Sequence, residues 1–176
     1  MASASACSAE APGPVPPESP SAEVRTEPGP AVRFSFTAVG GQPVSSESLR
    51  GRLTVVGLVT SYDPPSQSQA LFLRSLARRH VPRLNVVLVV LEPEQNRPLV
   101  QAFADALDAP FAVVMADADT IAGRGAFGPM REVPSILVLD AESRERWRHV
   151  GQVEEQELER ILRALEKGGA SEQTAR

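Results

Sequence analysis

A chain of 176 residues, 42% hydrophobic and 23% charged, is long enough for one domain of ordinary size with its own core. Its formal net charge of −4 excludes the basic footprint of a nucleic-acid or anionic-membrane binder, and no apolar run approaches the roughly 20 residues that cross a bilayer. A single cysteine, Cys7, excludes an internal disulfide, and no cysteine–histidine cluster points to zinc, so no cofactor is expected.

Residues 1–31 carry seven of the 16 prolines, with Ala, Ser, Glu and Gly and almost no large apolar side chains. Such a segment buries too little surface to offset the entropy of ordering, which predicts a disordered tether. Within it, Ala4-Ser5-Ala6-Cys7 matches the small-residue end of a bacterial lipoprotein cleavage site, making Cys7 a candidate for lipid attachment and membrane tethering. The charged and apolar parts of a signal peptide are not seen ahead of it. An ordinary Ala/Ser-rich terminus is the competing reading. The first reading puts the protein at the cell envelope or periplasm, the second in the cytoplasm.

The folded domain is predicted from Val32 to Lys167. Phe34–Val39 alternates as an opening strand, and Leu53–Val59, Val86–Leu91, Phe111–Met115 and Ile136–Leu139 are short Val/Leu-rich runs suited to strands covered on both faces. Between them lie helices. Ser66–Arg79 carries Ala70, Leu73, Leu76 and Ala77 on one side, and Arg97–Asp108 carries Leu99, Phe103 and Leu107. Glu154–Glu166 has the clearest helical stripe, at Leu158, Ile161, Leu162 and Leu165. Arg144–Val150 is expected to pair antiparallel with Ile136–Leu139 through the turn Asp140-Ala141-Glu142-Ser143. Lys167-Gly168-Gly169 reads as a helix stop, leaving 168–176 as a flexible tail. The order β-α-β-α-β-(α)-β-β-α predicts an α/β fold with a central mixed sheet flanked by helices.

That order, with the local motifs, resembles the thioredoxin superfamily, in particular its TlpA-like and peroxiredoxin-like (AhpC/TSA) branch, over roughly Phe34 to Leu165. Gln42 to Arg52 is similar to the family's opening motif, and the strand running into Asp63-Pro64-Pro65-Ser66 occupies the place of its active-site turn. Glu132-Val133-Pro134-Ser135 resembles its Val-Pro-Thr loop, which implies a cis proline at Pro134. Leu139-Asp140 followed by Val150-Gly151 fits its hairpin.

The departure lies in the chemistry. In the family, a cysteine at the helix N-terminus is held as a thiolate by unpaired amide N–H groups and the helix dipole, and a second, three residues on, resolves the mixed disulfide. Asp63 and Ser66 stand at those positions. Neither a carboxylate nor a hydroxyl exchanges with a disulfide, which argues against disulfide reduction and peroxide reduction alike. The family's copper-chaperone branch needs two cysteines and a histidine that this chain lacks.

Several residues admit two readings. Asp63 is a preferred helix cap and Pro64 fits the first helical position; alternatively Tyr62, Asp63 and Ser66 form a polar lip beside Val133 and Pro134, where the family pairs backbone with an extended partner. Gly123-Arg124-Gly125-Ala126-Phe127-Gly128 matches G-x-G-x-x-G but lacks the preceding strand and following helix that nucleotide binding requires. It reads instead as the end of a short helix, Thr120–Gly123, and a turn. Asp117 and Asp119 read as a cap and a solvated loop rather than a metal site. His80 suits a helix C-terminus, Trp147 reads as packing, and Arg74, Arg78 and Arg79 as a solvated face.

The expectation is a domain that has lost oxidoreductase activity and binds an extended polypeptide. The alternative is an active thiol or peroxide oxidoreductase working through Cys7 or a partner's thiol. A purely structural subunit is a third reading.

Overall fold

The computed structural model describes residues 24–174 apart from 26, 81, 130 and 131. Cys7, and with it the lipid-attachment reading, lies outside the described residues.

Five strands form the central sheet: β3 (Leu53–Val59), β4 (Leu84–Val90), β5 (Ala112–Met115), β6 (Ser135–Leu139) and β7 (Glu145–Val150), in spatial order β5-β4-β3-β6-β7. The first three are parallel, β6 runs antiparallel to β3 and β7 antiparallel to β6, giving the expected mixed sheet. The β-branched and leucine runs of β3 and β4 are covered on both faces, as parallel strands at a sheet centre must be.

One face is packed by α1 (Pro64–His80), α2 (Arg97–Leu107) and α4 (Glu155–Thr174). Their buried residues include Leu73 and Leu76 of α1 and Leu158, Ile161, Leu162 and Leu165 of α4, together with Trp147 from β7. Close approach of α1 requires a glycine beneath it: a Cβ on Gly57 would lie 2.6 Å from Leu73 Cδ1 and 3.0 Å from Leu88 Cδ1. The other face is closed by the small hairpin β1 (Ser35–Thr37) and β2 (Pro43–Ser45) and by Phe127. Phe34, Phe36 and Phe127 pack ring against ring there, with centroids 5.4–6.2 Å apart.

Four expectations change. The tether was expected to reach residue 31, yet Val24 packs against the core, and Arg25 and Gly29 donate backbone N–H bonds to the Arg146 and Glu145 carbonyls (2.9 and 3.0 Å). Backbone pairing along β7 holds this stretch without large apolar side chains. The glycines after Lys167 do not stop α4, which continues to Thr174. Glycine permits a left-handed stop but costs only about 1 kcal/mol inside a helix, and Gly168 is not among the residues with positive φ.

On α2 the buried residues are Val100 and Leu107, with Leu99 63% exposed; Val100 and Leu107, seven apart, share a face that Leu99 misses by one step. The arginines of α1 are not free in solvent. Arg74 donates to the Leu107 carbonyl (3.0 Å), Arg78 pairs with Asp108 (2.8 Å), and Arg79 pairs with Glu155 and Glu159. They tie α1 to the end of α2 and to α4.

Both outer strands are covered by the beginning of the described chain. Ala31 bridges Arg144 beside β7, and Val32 N–H donates to the Ser143 carbonyl (2.8 Å). At the far edge Ala38 bridges Val114 and Val39 N–H donates to the Val113 carbonyl (2.8 Å).

Candidate functional site

β3 leaves the sheet at Val59, and Thr60–Asp63 turn the chain into α1. Asp63 caps that helix as its position predicts: Oδ1 accepts the Ser66 N–H at 2.9 Å, while Oδ2 accepts the Thr60 hydroxyl. Burial pushes the Asp63 carboxyl up, but hydrogen bonds from the Ser66 and Thr60 side chains and from the backbone N–H groups of Ser66 and Asp63 outweigh it. The group is held below the usual carboxylate range. Ser66 is fully buried, and its Oγ accepts the Thr60 N–H at 3.2 Å. Positions 63 and 66 thus hold an anion already surrounded by donors and a hydroxyl with no solvent access.

A second layer fixes the turn. Glu92, 1% exposed just beyond β4, accepts the Ser61 N–H at 2.6 Å and the Asn96 side-chain amide at 2.9 Å. Gln67 donates to the Ser61 carbonyl (2.8 Å). Gln69 Oε1 accepts the Val153 N–H at 2.9 Å, joining α1 to the approach of α4. Sequence reasoning missed Thr60, Gln69 and Glu92. The one available signal was an acid directly following the apolar run of β4.

The register of β6 on β3 pairs Ser135 with Leu58, so Val133-Pro134 arrive beside the end of β3 and the turn. Their peptide bond is cis, as the resemblance implied. The Pro134 carbonyl accepts the Gly151 N–H (2.9 Å), and Ser135 Oγ donates to the Glu132 carbonyl (2.7 Å). Pro134 is buried and Val133 half-buried, whereas Tyr62 is 72% exposed. Tyr62, Asp63, Pro64, Pro65 and Ser66 therefore share one end of the sheet with Val133 and Pro134.

The remaining candidates fall into structural roles. Asp117 caps α3 (Ala118–Ile121), accepting the Thr120 N–H at 2.7 Å; this helix starts two residues earlier than expected. The glycine motif follows as a turn, with Gly123 and Gly128 at φ 73° and 70° and no helix opening after it. His80 ends α1, and Trp147 is fully buried and stacked on His149. Among the described residues, no group of three or more metal-ligating side chains gathers, and no helix is long and apolar enough to cross a membrane.

This sheet order, the helix starting at the end of β3 and the cis proline facing it define a thioredoxin-like fold. Solved structures agree. A thioredoxin-family thiol:disulfide interchange protein from Chlorobium tepidum superposes with a TM-score of 0.65 at 24% identity, covering 80% of this chain and 98% of the other. A DsbF homologue from Corynebacterium diphtheriae gives 0.72 at 17% identity, covering 86% and 97%. StoA from Bacillus subtilis gives 0.62 at 19%, covering 76% and 98%. No protein-family model and no curated protein matches the sequence. The resemblance drawn from the sequence holds at the level of the fold.

Proposed function

We propose that this domain binds an extended segment of a protein partner at the Tyr62/Val133-Pro134 end and carries out no thiol–disulfide exchange. The observation that carries this reading is the state of Asp63 and Ser66. Their polar atoms are engaged in capping and turn hydrogen bonds, and neither bears sulfur, the element on which exchange depends. The cis Val133-Pro134 bond and the exposed Tyr62 ring remain beside them. An extended peptide laid there gains backbone hydrogen bonds and covers the aromatic ring.

Two measurements test this. In an insulin-reduction assay, the wild-type protein and a Cys7→Ser variant both stay at the background rate. Activity lost with Cys7→Ser favours instead an oxidoreductase working through Cys7. This second reading draws on the likeness to thiol:disulfide interchange proteins. In capture from the native host's lysate, a folded Tyr62→Ala, Val133→Asp variant loses the protein that wild type retains. Equal retention by both moves the binding surface elsewhere.

A further inference from the structure

The opposite end of the sheet carries a cleft. Three segments far apart in sequence meet there: residues 31–35, residues 45–51, and the β6–β7 turn at 141–144. Residues from all three surround a cleft of about 430 Å³, within the size range of small-ligand sites.

The walls are tied together. Ser46 N–H donates to the Phe34 carbonyl (3.0 Å) and Gly51 N–H to the Ala141 carbonyl (2.9 Å). The Phe34 N–H donates to Ser46 Oγ (3.3 Å) and the Ser143 hydroxyl to the Ser46 carbonyl (3.0 Å). Ser46 and Ser143 are both buried. On this framework stand Arg33, Arg50 and Arg144, one from each segment.

None of the three guanidinium groups appears in an ion pair or side-chain hydrogen bond among the described residues. By contrast, Arg78, Arg79, Arg97, Arg124, Arg146, Arg148 and Arg163 each hold an acidic partner. In a chain of net charge −4, three unpaired forks on one cleft run against the overall field.

We propose that this cleft binds a small phosphate-bearing anion. Guanidinium forks match the geometry of a phosphate's oxygens and bind it through paired hydrogen bonds, and three of them line this one cleft. Glu142 also lines the cleft. It reduces the charge of the cleft to about that of two arginines, which favours a compact anionic group over a nucleic-acid backbone or an anionic membrane. The site is separate from the Tyr62/Pro134 end and does not depend on what binds there. β3 begins beside it and runs seven residues to the other end.

The test is a titration of the full chain with inorganic phosphate and with pyrophosphate at low ionic strength, against chloride at matched ionic strength. Binding is followed by backbone amide shifts. Both phosphates are expected to shift amides of residues 31–35, 45–51 and 141–144, with chloride shifting none of them. Arg50→Ala or Arg144→Ala lowers the affinity about tenfold each. Arg50→Lys loses part of that, because charge survives while the fork does not, and Glu142→Gln tightens binding. All three positions are exposed, so the variants are expected to keep the wild-type fold, and any that does not is replaced by Arg33→Gln. No shifts at these amides, or shifts unchanged in the arginine variants, overturns the proposal. Shifts that centre on the α1 arginines overturn it equally.

Discussion

Where β3 runs into α1, Thr60, Ser61, Asp63, Ser66 and Glu92 bond to one another; at the other end of the same strand, Arg33, Arg50 and Arg144 line a cleft, and their guanidinium groups have no partner among the described residues. The first arrangement stabilises a turn. The second leaves charged donors exposed on walls that are hydrogen-bonded to one another. A polar group satisfied within the chain contributes to folding and is unavailable to a ligand, whereas one held apart contributes little to folding and is available. The Asp63 end of β3 is thus the internally satisfied one.

That contrast can be broken by substitution. Glu92→Ala has the largest expected effect, since it leaves the Ser61 N–H and the Asn96 amide without their acceptor beneath the turn. A loss of about 3 kcal/mol is expected in urea denaturation, and a loss below about 1 kcal/mol shows that the turn is not held from beneath.

Asp63→Ala comes next, at about 1 kcal/mol near neutral pH for a lost helix cap. Its pH dependence sharpens the point. The folded-state pKa of Asp63 lies below its ordinary value of 3.8, so its contribution is complete above that value and disappears as the pH falls through the lower folded value. Wild type and variant therefore converge in stability in strong acid. A difference that persists there assigns the effect to something other than the charged cap.

Arg50→Ala has the smallest effect on folding, within about 0.5 kcal/mol of wild type, although it weakens phosphate binding about tenfold. A clear destabilisation ties that arginine to the fold and removes the contrast.

Much of the scaffold was legible because its signals are local. Leu53–Val59 is a dense apolar run and forms β3 with those same bounds; Asp63-Pro64 has the chemistry of a helix start and is one. What escaped depends on partners distant in sequence. Glu92 meets a backbone N–H 31 residues away. The arginine cleft needs positions 33, 50 and 144, which nothing links until the hairpin turn folds against the opening segment. Val24–Gly29 joins the domain through main-chain bonds to β7, to which a composition rich in proline and glycine gives no clue. Leu99 shows the remaining weakness: neighbouring Val100 is equally apolar, and only the docked helix decides which of the two faces inward.

The way the described chain begins has a consequence for behaviour in concentrated solution. A sheet with bare outer strands offers rows of unpaired N–H and C=O groups to any other strand it meets, the usual route to edge-to-edge aggregation. Here Arg25, Gly29 and Ala31 lie along β7 and the turn before it, and Ala38 and Val39 along β5. A single passage of backbone thereby blunts both margins of the sheet, and the opening segment acts as a guard against self-templating rather than as a mere approach to the domain.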